Sequence, residues 1–432
     1  MKSIIICICF LFMANILEAQ DLIIHNVNYI DVNTGKLKKD KTVSITDGKI
    51  TAINAKGPSS KSAILINGKG KFLIPGLVDA HIHFFQSGGL YTRPDALDLT
   101  KYKSYDDEIE WLKNNAGDLL DRYLRCGVTS VIDVGGPMYN YVIRDSFNQV
   151  PNKPTIYLTG PLVSTYQPEA FKIADPPIVK VNSSEEARAL VKKQIPFKPD
   201  FIKVWYIVLP NQSAESTFDI IKATVEEAHK NNIRVAIHAT QLNTAKFAIK
   251  AGADILVHSV DSPVDEDFEK MLIENEVVYI PTLMVKSKYD ETFAQNPIFT
   301  REDLSISNPI PLGSLMDTKH LKEPVLDQYK NYTVQSSARS KATMKTQGEN
   351  LKRLSDKGAI IATGTDAGNI GTLHASSIFE EIGLMKDAGM SNAAILKAST
   401  LDAYKVVQKE KLYGSIEVGK MADLVLLNEN HY

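Results

Sequence analysis

The sequence predicts an α/β fold: a parallel (β/α)8 barrel of the TIM type, with a small β-sandwich domain built from the two chain ends. Three observations predict it. Short apolar runs alternate with amphipathic helical stretches over most of the chain. Eight of these runs can be counted, the number that closes such a barrel. Outside the alternation, both ends read as short strands joined by tight turns.

Residues 1–19 have the pattern of a secretion signal. Lys2 precedes an apolar core from Ile4 to Met13, too short to span a bilayer, and Ala19 offers a small residue before a cut. Export to the periplasm or the medium is therefore expected, with no stable membrane association afterwards. Cys7 and Cys9 lie inside the apolar core and do not form a lipoprotein signal. Cys126 alone remains, so no internal disulfide is expected, and it reads as a small core residue.

Composition bounds the function classes. The chain has 432 residues, is 44% hydrophobic and carries a net charge of −2. It can bury a large core, and no basic run or aromatic-basic patch points to nucleic acid or an anionic membrane. A small-molecule substrate is the expected partner; a homo-oligomer is compatible with this reading.

Residues 20–76 alternate strands with turn signals. Asn33-Thr34-Gly35 turns, and Asp47-Gly48 joins Thr42–Thr46 to Lys49–Ile53 as a hairpin. Within the closing segment 408–432, residues 413–427 return to strand and should pair with this first part, completing the sandwich. His25 falls on one of its strands and reads as structural.

Residues 77–407 carry the barrel. The first strand leads into His81-Ile82-His83. On a strand, residues i and i+2 face the same side, so the two imidazoles project together and can hold one metal ion. Further candidate strands are 127–134, 154–159, 200–206, 233–238, 254–258, 277–283 and 359–366. Helical stretches at Ser184–Lys193, Ser213–Asn231 and Thr244–Ala251 lie between them. Residues 286–350 form a long polar insertion before the eighth strand, expected to be a helical lid. A helix is expected over 392–407.

In such a barrel, catalytic groups sit at the C-terminal strand ends. His81 and His83 end the first strand, Lys203 lies in the fourth, His238 ends the fifth, His258 the sixth and Asp366 the eighth. Four of nine histidines fall at three strand ends. Asp79 is expected to orient one of the histidines. Tyr206, Tyr166, Tyr279 and Thr282, near strand ends, are candidates to line the pocket. His374, in the loop after Asp366, is a candidate substrate contact, and Gln86 and Arg93 are candidates to bind a carboxylate.

These motifs resemble the amidohydrolase superfamily. The resemblance is carried by Pro75–His83, Ile202-Lys203-Val204-Trp205, Ala236-Ile237-His238-Ala239, Val257-His258-Ser259, Gly364-Thr365-Asp366-Ala367-Gly368 and the tail from Gly414 to Leu427. It is strongest to the imidazolonepropionase-like branch, which includes Xaa-Pro and other dipeptidases.

The resemblance implies two divalent metal ions, usually zinc. His81, His83 and Asp366 would hold one, and His238 and His258 the other. Lys203, carboxylated by carbon dioxide, would bridge them; carbamylation turns a cation that the metals would repel into an anionic ligand. A metal-bridging hydroxide would then attack a substrate carbonyl, with Asp366 as proton shuttle.

Hydrolysis of a small amide, such as a dipeptide, an N-acyl amino acid or a cyclic amide, follows as the leading expectation. Ester or lactone hydrolysis by the same centre is the alternative within enzymes. Lys203 argues against a deaminase, which does not need it. A non-catalytic assembly protein would lack ligands that are all present here. One departure is Ile237, where some dipeptidases of the family carry a tyrosine before the fifth-strand histidine.

Overall fold

The computed structural model describes residues 21–54, 63–210 and 212–429. The proposed signal segment and His431 lie outside the described residues.

The chain ends meet in one sheet. Strands β1 (Leu22–Asp31), β2 (Lys36–Thr46), β3 (Lys49–Ile53), β4 (Ile64–Asn67) and β5 (Phe72–Pro75) are joined by the C-terminal strand Leu424–Leu427. The expected Asp47-Gly48 hairpin is present, both residues with positive φ, 50° and 70°, as the tight turn demands. On one edge of β1 the first half pairs with β4 and the second half with β5. The strands expected as a sandwich are thus one continuous six-stranded sheet among the described residues. It folds around Ile24, Val27, Val43, Ile50, Leu73 and Ile416.

Barrel strands follow at once. They are β6 (Leu77–Ile82), β7 (Val128–Asp133), β8 (Thr155–Leu158), β9 (Leu162–Ser164), β10 (Ile178–Lys180), β11 (Phe201–Trp205), β12 (Arg234–His238), β13 (Ile255–Val257) and β14 (Val278–Ile280). The third barrel strand is split. β8 pairs with β7, β9 pairs with β11, and Thr159-Gly160-Pro161 interrupts the two halves. Pro161 lacks the N–H that a continuous ladder needs.

The eighth strand, expected at 359–366, is extended but pairs only in isolated bridges. Tyr279 N–H donates to Ile360 O at 2.8 Å on one side, and Ala80 N–H to Thr363 O at 2.9 Å on the other. Its bonds to both β14 and β6 close the ring. Val78, Ala80, Phe201, Ala236, Ile255 and Ile280 fill the interior.

Helices cover the outside. These are α1 (Tyr105–Arg125), α2 (Asn140–Phe147), α3 (Ser184–Gln194), α4 (Ala214–Lys230), α5 (Leu242–Ala251) and α6 (Glu266–Glu274). Ser183, Ser213 and Asp265 accept N-cap bonds at α3, α4 and α6, and Gly252, at φ 100°, ends α5.

The long insertion is helical, as expected: α7 (Met284–Phe293), α8 (Arg301–Ile306), α9 (Pro309–Ser314) and α10 (Pro324–Asp356). With the loop after β6 it buries Leu90, Leu97, Leu315, Leu326, Ile370 and Leu373. This second small core sits beside the barrel mouth. α11 (Ser377–Asp387) follows. The single helix expected over 392–407 is instead α12 (Asn392–Ala398), α13 (Leu401–Tyr404) and a 3-10 turn at Lys405–Val407. The break falls at Ser399-Thr400, where Thr400 leaves helical geometry. Among the described residues no helix is long and apolar enough to cross a membrane.

Candidate metal centre

Five of the six residues expected at the strand ends, His83, Lys203, His238, His258 and Asp366, line the floor of one cavity of about 420 Å³ at the barrel mouth, and the sixth, His81, is buried against His83 and Asp366. A bulge brings the first pair there. Asp79 pairs with Val131 but Ile82 with Asp133, so between these two pairs β6 has one residue more than its partner. Val78 and Ala80 point into the interior, Ile82 packs outward, and the bulge re-aims His81 and His83 into the mouth.

His81 Nε2, His83 Nε2 and Asp366 Oδ1 form a near-equilateral triangle. The two nitrogens are 3.4 Å apart, and each is 3.3 Å from the oxygen. Ligand bonds of about 2.0–2.1 Å at tetrahedral angles place neighbouring donors about 3.3–3.4 Å apart. The triangle therefore has the size of one face of a tetrahedral site. His83 Nδ1–H donates to Gly135 O at 2.7 Å, which leaves the Nε2 lone pair free for a metal. His81 Nδ1, Asp366 Oδ1 and Lys203 Nζ are buried without a hydrogen-bond partner among the described residues. Such orphaned groups call for a ligand that restores what burial takes away.

The second pair lies against the first. The His258 ring is 4.9 Å from that of His81 and 4.5 Å from that of His238. His258 Nδ1 is 2.7 Å from Thr282 Oγ1, again leaving Nε2 for the site. His258, Thr282 and Asp366 have φ of 77°, 46° and 57°. Each left-handed non-glycine residue costs on the order of 1–3 kcal/mol, worst for the β-branched threonine. Three in succession, at the ends of strands six, seven and eight, mark where the fold concentrates strain.

Electrostatics favour ligation. Burial pushes His81 down to about 4 and His238 down to about 3, so the imidazoles are neutral at pH 7. Burial also lowers Lys203 to about 7. For Asp366 burial pulls upward, but His81 and His83 in their protonated form outweigh it, and the net direction is well below the usual carboxylate range.

The other expected residues divide. Thr282, Gln86 and Arg93 do line the cavity. Tyr206 does not: its hydroxyl donates to Ala214 O and its ring packs in the outer core. Lys203 and Trp205 face the barrel axis, so strand alternation turns Tyr206 outward. His374 does not line it either. It is buried between Phe84 and Tyr123, and its Nε2–H donates to Gln86 O at 2.8 Å. Tyr279 is a core residue bonded to Val260 N–H, and Tyr166 stacks beyond Trp205. Asp79 touches no imidazole. It accepts from the Thr365 hydroxyl at 2.7 Å and from Thr365 and His81 N–H, which clamps the first strand to the eighth.

Among the cavity residues that lay outside the sequence expectations, Asn369 and Tyr289 bear on Asp366. Asn369 Nδ2 donates to Asp366 Oδ2, and Asn369 Oδ1 accepts from Arg93 and Tyr289. Neither carries a sequence signal, because each sits one helical turn or loop beyond its motif.

A family model described as the amidohydrolase family matches residues 72–431. The chain belongs to the amidohydrolase family. As a member it is a metal-dependent hydrolase acting on carbon–nitrogen bonds. It is similar to an imidazolonepropionase from Geobacillus sp. (strain WCH70), at 23% identity over 90% of this chain and 84% of that one. A shorter match, 39% identical, links 16% of this chain to 12% of an adenine deaminase from Lactobacillus delbrueckii subsp. bulgaricus. The fold is shared with a solved Xaa-Pro dipeptidase with bound methionine in its active site. There the TM-score is 0.70 at 22% identity, over 95% of this chain and 94% of that one.

Proposed function

We propose that this amidohydrolase is an exported enzyme with a binuclear centre that cleaves the amide bond of a small substrate, such as a dipeptide, an N-acyl amino acid or a cyclic amide. The observation that carries the reading is the triangle of His81, His83 and Asp366, sized for one face of a tetrahedral metal site. These three would hold one divalent ion, and His238 and His258 a second. Imidazole and carboxylate donors suit zinc and several of its neighbours.

Lys203 would serve both ions as a carbamate. Its buried amine, with a pKa near 7, is available in the neutral form. The nitrogen lone pair would add to the carbon of carbon dioxide and a proton would leave to solvent. A buried neutral amine would thereby become an anionic oxygen donor.

When bound, the ions would supply Lewis acidity at the carbonyl oxygen and a water acidified towards neutrality. The protein's own residues supply the rest. Asp366, held ionised beside His81 and His83, would accept the proton of the attacking water and deliver it to the leaving amine. Asn369 fixes the carboxylate's far oxygen. A cavity of about 420 Å³ admits a small molecule rather than a folded polymer. The relatives named as imidazolonepropionase and Xaa-Pro dipeptidase support an amide substrate.

The test is metal analysis and a hydrolysis screen of the purified, bicarbonate-treated protein, with Asp366→Asn as the blank. Two equivalents of metal and amine release from dipeptides or N-acyl amino acids are expected. Turnover of lactones or esters alone would move the reading to the alternative chemistry. Absence of both metal and turnover would overturn it.

A further inference from the structure

The cavity has two unlike walls. On the arc of the first, third and fourth strands stand Phe85, Leu162, Phe171, Ile178 and Trp205. They belong to one satellite apolar cluster, with Phe85 and Phe171 edge to face at 6.2 Å. Trp205 is only partly buried, its ring 6.2 Å from that of His238, so it presents apolar surface directly beside the centre. On the arc of the sixth to eighth strands the wall is mainly polar, with Asp261, Lys286, Tyr289 and Asn369 around a single aliphatic residue, Val285.

The two arcs are not equivalent to a substrate. Asp366 belongs to the polar arc, and as the donor of the proton to the leaving amine it fixes the amine half on that side. The acyl half then lies against the apolar wall. Gln86, buried in the cavity wall, has an Oε1 with no hydrogen-bond partner among the described residues, an acceptor left open for a ligand N–H.

We infer that the apolar wall formed by Phe85, Leu162, Phe171, Ile178 and Trp205 is an acyl-group subsite, and that the substrate is an amide of a large apolar, preferably aromatic, acyl group with a polar amine. This rests on the proposed amide hydrolysis and names its substrate class. Burying several methylenes or a ring in a pocket discriminates by about ten- to a hundredfold or more in kcat/KM.

Three substrates separate the possibilities for the metal-loaded protein: N-(4-phenylbutyryl)glycine, N-acetylglycine and N-acetylphenylalanine. The first is expected to exceed the second by about ten- to a hundredfold in kcat/KM, and the third to gain little over the second. Trp205→Ala should reduce that preference, and Trp205→Phe should retain most of it. A preference for N-acetylphenylalanine, or none at all, would overturn the subsite while leaving amide hydrolysis standing.

A second readout needs no turnover. Trp205 and Trp111 are the only tryptophans, and Trp205 alone lines this cavity. In metal-free protein, 4-phenylbutyrate should change the tryptophan fluorescence saturably, acetate should not, and Trp205→Phe should abolish the change. Binding without hydrolysis of any amide would sustain the subsite and sink the hydrolase reading. Neither binding nor preference would sink the subsite.

Discussion

Asn369 Nδ2 donates to Asp366 Oδ2 at 2.8 Å, and the orientation of that amide is not free. Its Oδ1 accepts from Arg93 Nη1 at 2.7 Å and from the Tyr289 hydroxyl at 2.6 Å. Two donors on one side force the carbonyl there and the NH2 towards Asp366. Arg93 is held in turn by both oxygens of Asp95 at 2.7 Å. The chain of contacts runs from the loop after β6 and from α7 of the helical insertion to the carboxylate proposed to move the proton.

Asn369→Leu removes that donor without adding charge. A hydrogen bond to an ionised group is worth about 1.5–3 kcal/mol, which corresponds to roughly 10- to 100-fold in rate when the transition state needs it. The expected outcome is a fall of that size in kcat with little change in KM and with bound metal retained. Arg93→Lys, which keeps a donor, should cost less. Steady-state kinetics with metal analysis decides it; loss of metal together with activity would mean that Asn369 only supports the fold.

How far the sequence could lead is visible at individual residues. The four histidines, Lys203 and Asp366 were legible because apolar strands end at them and parallel barrels collect chemistry at those ends. The alternation that turns Lys203 inward also turns Tyr206 outward, so its failure to line the cavity follows from parity. His374 was not legible, because a loop residue has no periodicity to tell whether it faces a cavity or plugs the space between Phe84 and Tyr123. Asn369 was invisible for the same reason. The break between β8 and β9 was hidden because Gly160-Pro161 reads as a strand end rather than as a pause within one strand.

Metal removal should be felt in stability. Without an ion, His81, His83 and Asp366 hold three donor atoms 3.3–3.4 Å apart, and buried Lys203 Nζ has no hydrogen-bond partner among the described residues. A ligand present at a thousand times its dissociation constant stabilises by about 4 kcal/mol. Dialysis against a chelator is therefore expected to lower the melting temperature by several degrees, with recovery on adding zinc. A melting curve indifferent to chelation in protein shown to have held metal would contradict a tight site.

Glu381 gives a pH dependence of defined sign. On α11, its two oxygens accept from Leu283 N–H at 2.9 Å and Met284 N–H at 3.0 Å, at the start of α7. Burial raises its carboxyl to about 8. A raised folded-state value means that the stabilisation is fully present below the unfolded value, near 4.5, and is lost as pH rises towards 8. The wild type should lose up to roughly 1.4 kcal/mol per pH unit from this group across that window. Glu381→Gln, which cannot ionise, lacks this slope. Its deficit against the wild type at pH 5.5 should shrink by pH 8.5, and the difference between the two unfolding curves isolates Glu381 from the buried histidines. A constant difference across that range would show that Glu381 does not titrate.

Gly364 tests whether the eighth strand positions the first histidine. A Cβ built there would lie 2.7 Å from His81 Cβ, 2.9 Å from His81 N and 2.6 Å from Ile280 Cγ2. Two of these neighbours belong to β6 itself, so the strands must separate rather than a flexible side chain swing away. Gly364→Ala should therefore displace His81 from Asp366, weaken metal binding and destabilise the barrel by about 1–3 kcal/mol, the usual cost of overpacking. Gly383 lies within α11, and a Cβ there meets nothing within 4 Å. Gly383→Ala should stabilise by about 0.5–1 kcal/mol through helix propensity and leave metal affinity unchanged. Zinc titration and thermal melting of the pair decide it. Equal behaviour of the two variants would mean that the close approach of the eighth strand does not set the position of His81.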